Sequence, residues 1–184
     1  MRLAITREEG SLRELTQMPQ QTAILESPRS LRARSQSGCF ACGQGNPHGL
    51  QIQFRRQDDG EITATWTPSP VWEGFRGIVH GGVVSTVLDE AMSKAVASTG
   101  AEALTAELRV RFRRHVAAGG VFLVRGWLVT RNKRLIKAEA VLTAADGTEH
   151  AHAWATFLPV SGHRGETQPG AGLGDRIAAG LFSA

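Results

Sequence analysis

The amino-acid sequence predicts an α+β domain in which one long helix packs against an antiparallel sheet. Three observations support this fold class. One segment has the apolar spacing of an amphipathic helix, six strand-like runs flank it, and short turn signals separate most consecutive runs. Two strands, one helix and then four strands is the order of a meander whose sheet has one face free to cover the helix.

The predicted helix spans residues 83–98. Its apolar residues stand at positions 84, 87, 88, 91, 92, 95 and 96, which is the i, i+3, i+4 spacing of a helix with one buried face. It begins after His80-Gly81-Gly82, and Gly100 supplies the stop at its carboxyl end. Asp89 lies at the border of the apolar arc. Glu90 points away from the arc, so we expect it to be solvated.

The predicted strands cover 50–54, 61–66, 104–112, 121–129, 135–143 and 149–158. Turns are expected at Asp58-Asp59-Gly60, at 117–120, at 131–133 and at Asp146-Gly147. The run at 104–112 alternates strictly between apolar and polar residues, as a half-buried strand does. This alternation places Thr105 on the polar face, pointing away from the helix.

The chain of 184 residues is long enough for one domain with tails. We expect a polar, flexible extension at 1–38 with a short helix near 11–18, a folded domain at 39–160 and a Gly-rich tail at 161–184. Neither a membrane-spanning apolar run nor a secretory signal is present, so we expect a cytoplasmic protein that binds no membrane.

The charge pattern argues against a nucleic-acid partner. Basic and acidic residues number six and four in 1–38, thirteen and eleven in 39–160, and two and two in the tail. The formal net charge of +4 is therefore spread out, whereas phosphate-backbone binding uses clustered basic residues.

The predicted fold also indicates self-association. One helix cannot cover both faces and the edges of six strands, so we expect at least a dimer.

Two features around the helix could carry chemistry. A carboxylate at the edge of an apolar face, such as Asp89, has a raised pKa and suits a general base or nucleophile; the alternative is a boundary carboxylate paired with an Arg. The helix start at His80-Gly81-Gly82 offers free backbone amides to an oxyanion or a polarised carbonyl, or simply allows a tight helix entry. His80 could orient a substrate or cap the helix. Asp89 follows it by nine positions, so the two can share a site only with help from a second subunit.

Other polar clusters are less specific. Cys39-x-x-Cys42 could bind zinc or act as a dithiol switch, but a structural zinc site wants four ligands and no second ligand pair exists. We therefore expect no metal and no bound cofactor. The pairs Arg113-Arg114 and Lys133-Arg134 could hold the phosphates of a nucleotide-bearing ligand or be solvated turns. His150 and His152 lie on one face of a strand and are expected to be structural or edge residues.

Together these segments resemble the hotdog-fold acyl-CoA thioesterases of the PaaI type. The resemblance rests on C39-F-A-C-G-Q-G-N-P-H-G-L50, W72-E-G-F-R-G-I-V-H-G-G82, L88-D-E-A91 and T105-A-E-L-R-V-R-F-R-R114, and it covers about 39–160. It implies a long central helix wrapped by a curved antiparallel sheet of about six strands. It also implies a double-hotdog dimer, with active sites at the subunit interface.

The resemblance further implies roles for particular residues. Asp89 matches the acid that attacks the thioester or activates water, and Thr105 matches the hydroxyl that positions the water. Gly81, with Gly82, matches the helix-start amide that polarises the carbonyl, and His80 matches the histidine that supports this loop. The substrate-binding positions implied in this way are Gly74, Arg114, Lys133 and Arg134, the three basic ones for the CoA phosphates.

One position departs from the family pattern. Many relatives carry Asn six residues before the motif histidine, where this chain has Gly74, so a hydrogen bond to the thioester is missing or comes from elsewhere, such as His80. The resemblance implies hydrolysis of an acyl- or aryl-CoA to free acid and CoA without metal or cofactor, in a homodimer or a dimer of dimers. The alternative is a non-catalytic hotdog protein that binds acyl-CoA as a sensor or scaffold.

Overall fold

A computed structural model of the chain describes residues 38–160. The helix expected near 11–18, the polar extension and the Gly-rich tail lie outside the described residues. No helix within 38–160 is both long enough and apolar enough to cross a membrane.

One long helix, α1 (Gly81–Ala97), follows four short strands and precedes four long ones. In chain order the described strands are β1 (Arg55–Arg56), β2 (Ile62–Trp66), β3 (Glu73–Phe75), β4 (Ile78–Val79), β5 (Ala103–Phe112), β6 (Phe122–Arg131), β7 (Ile136–Ala144) and β8 (Glu149–Pro159). Six of them form an antiparallel sheet in the order β1-β2-β6-β7-β8-β5, while β3 and β4 form a small hairpin ahead of the helix. The fold class and the hotdog architecture expected from the sequence are confirmed.

The core lies between α1 and one face of the sheet. The buried helix residues are the apolar ones that the periodicity selected: Val84, Val87, Leu88, Ala91, Met92, Ala95 and Val96. The helix approaches the sheet closely at Gly126 of β6, where a Cβ atom would lie 2.8 Å from the backbone carbon of Ala91. Glycine at this position lets the helix backbone come nearer to the sheet than any side chain would permit.

The prediction of a strand at 50–54 is wrong. Leu50 and Ile52 are buried as the alternation requires, but their amides donate to the carbonyls of Phe40 and Ala41 rather than to a strand of the sheet. Gln51 between them has a φ of 50°, which breaks extended geometry. The segment is therefore a loop that packs with 39–43, and the sheet strand begins only at Arg55. The β3–β4 hairpin and the short 3₁₀ helix at Pro70–Trp72 were not predicted.

The expected orientation of Thr105 is also wrong, because β5 contains a β-bulge. The register with β8 shifts between Thr105 and Glu107, so Thr105 lies opposite the buried Phe157. Beyond the bulge, Leu108 pairs with the buried Ala155, as the alternation predicted. One extra residue on a strand turns every earlier side chain to the other face, and here it turns Thr105 toward the helix.

Strand β5 is an edge of the sheet. Within residues 38–160 it pairs only with β8, along its ten residues. Leu108 and Phe112, both on its helix-facing side, keep 37% and 51% of their surfaces exposed. A strand edge of this length offers unpaired backbone groups to a further strand.

Candidate active site

Asp89 and Thr105 meet where the middle of α1 passes the start of β5. The Thr105 hydroxyl donates a hydrogen bond of 2.9 Å to Asp89 Oδ1. Burial of the half-buried carboxyl raises the pKa of Asp89, the Thr105 bond lowers it in part, and the charge of neighbouring Glu90 raises it further. The net shift is upward, which brings the group closer to the pKa of an effective general base.

The start of α1 is organised by His80. Its Nδ1 accepts the Gly82 amide at 2.9 Å, and its carbonyl accepts the amides of Val83 and Val84. The Gly81 amide has no partner among the described residues. The Gly82 amide is already bonded to the capping side chain of His80. Among the two glycine amides predicted from the sequence, the Gly81 amide is therefore the one free to donate to a ligand oxygen.

Gly74 lies directly against His80. A Cβ atom at Gly74 would be 3.1 Å from both Cα and Cδ2 of His80. The space that a side chain at this position would use is therefore filled by the imidazole. His80 Nδ1 is engaged by the helix cap, so Nε2 is the ring nitrogen that remains for a ligand.

A groove of about 550 Å³ opens beside the helix start, lined among others by Gly74, His80, Gly81, Phe112, Arg114 and His115. Phe112 comes close to Gly81, within 3.4 Å of the position that a Cβ atom would take. The basic wall belongs to the segment after β5, where Arg113 pairs with Glu149 and Arg114 donates to the Glu149 carbonyl at 3.3 Å. Phe112 and His115 were not predicted as site residues, and only their proximity to Arg114 in the chain could have indicated them.

Lys133 and Arg134 lie at the other end of the molecule. They occupy the turn between β6 and β7, and Arg131 beside this turn donates to the carbonyl of Thr99, just beyond the end of α1. Within one chain they are therefore not brought together with Arg114. Asp89 is also separated from the helix start, since eight residues of helix rise by about 12 Å between Gly81 and Asp89.

The two histidines of β8 have structural contacts. His150 Nδ1 is 2.7 Å from the carbonyl oxygen of His115. His152 stacks on Trp154 with 4.2 Å between ring centroids and lies 3.4 Å from Glu139. Both side chains contact neighbouring parts of the chain, as expected for structural residues.

Glu90 is not solvated, so this expectation is wrong. The loop at 39–52 covers the side of α1 that faces away from the sheet, and only 16% of the Glu90 side chain is exposed. Its Oε2 lies 3.9 Å from Cys39 Sγ, and its Oε1 lies 3.4 Å from Lys94 Nζ. The sequence pattern identified the helix face correctly but could not show what packs on it.

One long helix packed against a six-stranded antiparallel sheet is the arrangement of a hotdog domain. The family model of the thioesterase superfamily matches residues 76–151. This region is thus a hotdog domain of that superfamily, and the resemblance expected from the sequence is confirmed.

Individual relatives agree with this assignment. Acyl-coenzyme A thioesterase THEM4 of Bos taurus is 24% identical over 135 residues, which are 72% of this chain and 56% of the relative. The match thus spans little more than half the length of that curated relative. The crystal structure of a phenylacetic acid degradation-related protein from Ralstonia eutropha JMP134 is 26% identical, with a TM-score of 0.53 over 59% of this chain and 85% of that chain. The PaaI protein of E. coli is 19% identical, with a TM-score of 0.56 over 59% of this chain and 83% of that chain, and shares the fold.

Proposed function

We propose that this protein hydrolyses the thioester of an acyl- or aryl-CoA to a free acid and CoA. The observation that carries the proposal is the Asp89–Thr105 pair, a half-buried carboxylate whose pKa is raised by burial and which a hydroxyl holds in one orientation. The match of 76–151 to the thioesterase superfamily and the likeness to an acyl-coenzyme A thioesterase support the same reaction class.

The chemistry needs an electrophile activator and a nucleophile. The free amide of Gly81 would donate to the thioester oxygen and stabilise the negative charge that develops on it. Asp89 would then either attack the carbonyl carbon, giving an anhydride that water cleaves, or take a proton from a water that attacks instead. In both routes the C–S bond breaks, and the CoA thiolate leaves and gains a proton. Thr105 positions the carboxylate and the water, and His80 holds the helix start.

This proposed reaction requires two copies of the chain. Gly81 and Asp89 lie about 12 Å apart along one helix, too far to contact a single carbonyl group. A second copy paired along the exposed edge of β5 would bring Asp89 of one copy toward the helix start of the other, and it would cover Leu108. We therefore propose a homodimer, or a dimer of dimers, as the active form.

The basic residues proposed to bind CoA phosphates also lie near opposite ends of α1 within one chain. Arg114 lines the groove at the helix start, where it could bind a CoA phosphate beside the free amide of Gly81. Lys133 and Arg134 stand near the opposite end of α1, so they can contact the same ligand only from the second copy. This arrangement makes Arg114 the primary candidate for phosphate binding.

The test is turnover of acetyl-, hexanoyl-, palmitoyl-, phenylacetyl- and benzoyl-CoA by the full chain. Free CoA should be followed by chromatography, because the partly exposed thiol of Cys39 would react with a thiol reagent. Asp89→Asn should abolish turnover and leave the oligomer intact. Asp58→Asn makes the same chemical change in an exposed turn and should have the activity of the parent chain. Full activity in Asp89→Asn would rule out the assigned role of this residue.

A binding protein without turnover is the second candidate. The observation that favours it is Gly74, where the side chain that many relatives use for a hydrogen bond is absent and its space is filled by His80. A protein of this kind would be stabilised by acyl-CoA without releasing CoA. A rise in Tm with every tested acyl-CoA, combined with no free CoA, would select this candidate over the hydrolase.

A further inference from the structure

Three metal-ligating side chains converge on the side of α1 that faces away from the sheet. The Sγ atoms of Cys39 and Cys42 and a carboxylate oxygen of Glu90 all lie within 4.8 Å of one another. Two of these residues come from the loop before the sheet and the third from the helix, 51 positions after Cys39. They are separate from the groove at the helix start.

We propose that Cys39, Cys42 and Glu90 form a binding site for a thiophilic divalent cation, with Zn²⁺ as the best match. Zinc in proteins is tetrahedral, with Zn–S distances of about 2.3 Å and Zn–O distances of about 2.0–2.2 Å. That geometry places neighbouring ligand atoms roughly 3.5–3.8 Å apart. The Cys39 Sγ to Glu90 Oε2 distance of 3.9 Å needs a change of only a few tenths of an ångström to fit.

The loop already holds the two sulfurs in place. Gly43 donates its amide to the Cys39 carbonyl at 2.9 Å, which closes the Cys-x-x-Cys turn. The two residues between the cysteines are tied to the next part of the chain, because the carbonyls of Phe40 and Ala41 accept amides of the loop at 49–52. The backbone that carries the two thiols is therefore already ordered when a cation binds.

The local charges balance for a divalent cation. Two thiolates and one carboxylate carry three negative charges, while Zn²⁺ and the ammonium of Lys94 supply three positive ones. Lys94 Nζ lies 3.4 Å from Glu90 Oε1, which leaves Oε2 directed at Cys39. Binding forms two Zn–S bonds and releases the two thiol protons to solvent, with no change in oxidation state. A water can complete the tetrahedron.

A dithiol switch fits these residues less well. Redox-active cysteines need a stabilised thiolate and access to solvent. Here Cys42 is buried, so it lacks the access to solvent that thiol exchange needs. Two thiols and a carboxylate within 4.8 Å of one another are instead the arrangement of a metal site.

The site would have a structural effect close to the chemistry. A cation bound by all three residues ties the loop at 39–52 to α1 at the residue adjacent to Asp89. Because the loop and the helix are otherwise joined here through packing and weak contacts of the two thiols, the metal would fix the position of this part of the helix.

The experiment is a Co²⁺ titration of the full chain, reduced and stripped with a chelator, followed by displacement with Zn²⁺. We expect one equivalent to bind, with the thiolate-to-cobalt charge-transfer band and the visible bands of tetrahedral cobalt. Cys39→Ser and Cys42→Ser should each lose most of the charge-transfer intensity. Glu90→Gln keeps both sulfurs and should weaken binding at least tenfold. Glu73→Gln, the same change at an exposed position, should bind as the parent chain does.

Stability provides a second readout that does not depend on turnover. Zn²⁺ should raise the Tm of the parent chain and of Glu73→Gln, and raise it less in Glu90→Gln. This variant also covers the case in which a cysteine variant fails to fold. Absence of the cobalt bands in the reduced parent chain, or equal cobalt affinity in Glu90→Gln and Glu73→Gln, would overturn the proposal. Either result leaves the proposed hydrolysis untouched, because Asp89 is not a ligand.

Discussion

Thr105→Val is the substitution that examines the candidate active site most directly. Valine has the shape of threonine and suits a strand, so β5 should retain its geometry while the hydroxyl that donates to Asp89 Oδ1 at 2.9 Å is lost. A hydrogen bond to a charged group contributes about 1.5–3 kcal/mol. Thr105 is exposed in the single chain, so we take the lower value, which corresponds to roughly a tenfold loss of rate.

The assay is steady-state release of CoA from the best substrate of the panel, with kcat and KM separated. A lost positioning contact should lower kcat and leave KM nearly unchanged, because the hydroxyl touches the carboxylate rather than the bulk of the substrate. Thr105→Ser keeps the donor and should restore most of the rate. Thr65→Val, the same change at an exposed position of β2, should have the parent activity.

Two outcomes would refute this reasoning. If Thr105→Val kept the full kcat, the contact with Asp89 would have no part in the reaction. If Thr105→Ser lost as much activity as Thr105→Val, while Tm fell equally in both, the residue would support the fold rather than the carboxylate.

Three further predictions concern packing and assembly. Gly126→Ala places a methyl group 2.8 Å from the backbone of Ala91, and overpacking of this kind costs about 1–3 kcal/mol, or roughly 2–12 °C of Tm in a chain of this size, measured by thermal unfolding. Leu108→Asp puts a charge at the edge strand β5 and should shift the proposed dimer toward monomer in light scattering, with loss of turnover. Gly74→Asn introduces the residue found in many relatives, yet its Cβ atom would lie 3.1 Å from His80, so kcat/KM should fall rather than rise.

Each of these predictions has its own control. Gly38 has no atom within 4 Å of its Cβ position, so Gly38→Ala should leave Tm unchanged, and an equal Tm for Gly126→Ala would contradict the close approach. Val121 is 57% exposed and lies outside β5, so Val121→Asp should keep the oligomer. A dimeric Leu108→Asp would exclude the β5 edge as the interface. A gain of activity in Gly74→Asn would mean that the His80 side chain moves to make room for the asparagine.

Local periodicity was enough to predict most of the fold. The helix and five of the six predicted strands stand where the apolar spacing placed them, within two residues at each end. The segment 50–54 is the exception, because alternation of apolar residues does not distinguish a strand from a loop. Its alternation correctly marked Leu50 and Ile52 as buried, but a loop that packs on the core buries alternate residues just as a strand does.

Local sequence patterns predicted less of the candidate site than of the fold, and the rest required the family resemblance or the tertiary structure. Asp89 was identified from its place at the border of the helical apolar arc, and the helix-start amides from the glycines that follow His80. That Thr105 faces Asp89 could not be read from alternation, because the bulge at Ala106 exists only as a register shift against β8. The cap likewise decides which amide is free, since His80 occupies that of Gly82.

The sequence by itself determined the order of the main elements and the buried face of α1, and it singled out Asp89 as a candidate, because these follow from the spacing of neighbouring residues. Only the tertiary structure decided the direction of Thr105 and the surroundings of Glu90. It brought Glu90 to Cys39 across 51 positions and placed Lys133 far from Arg114. Such contacts depend on strand register and on how a loop packs over a helix, and a one-dimensional pattern carries neither.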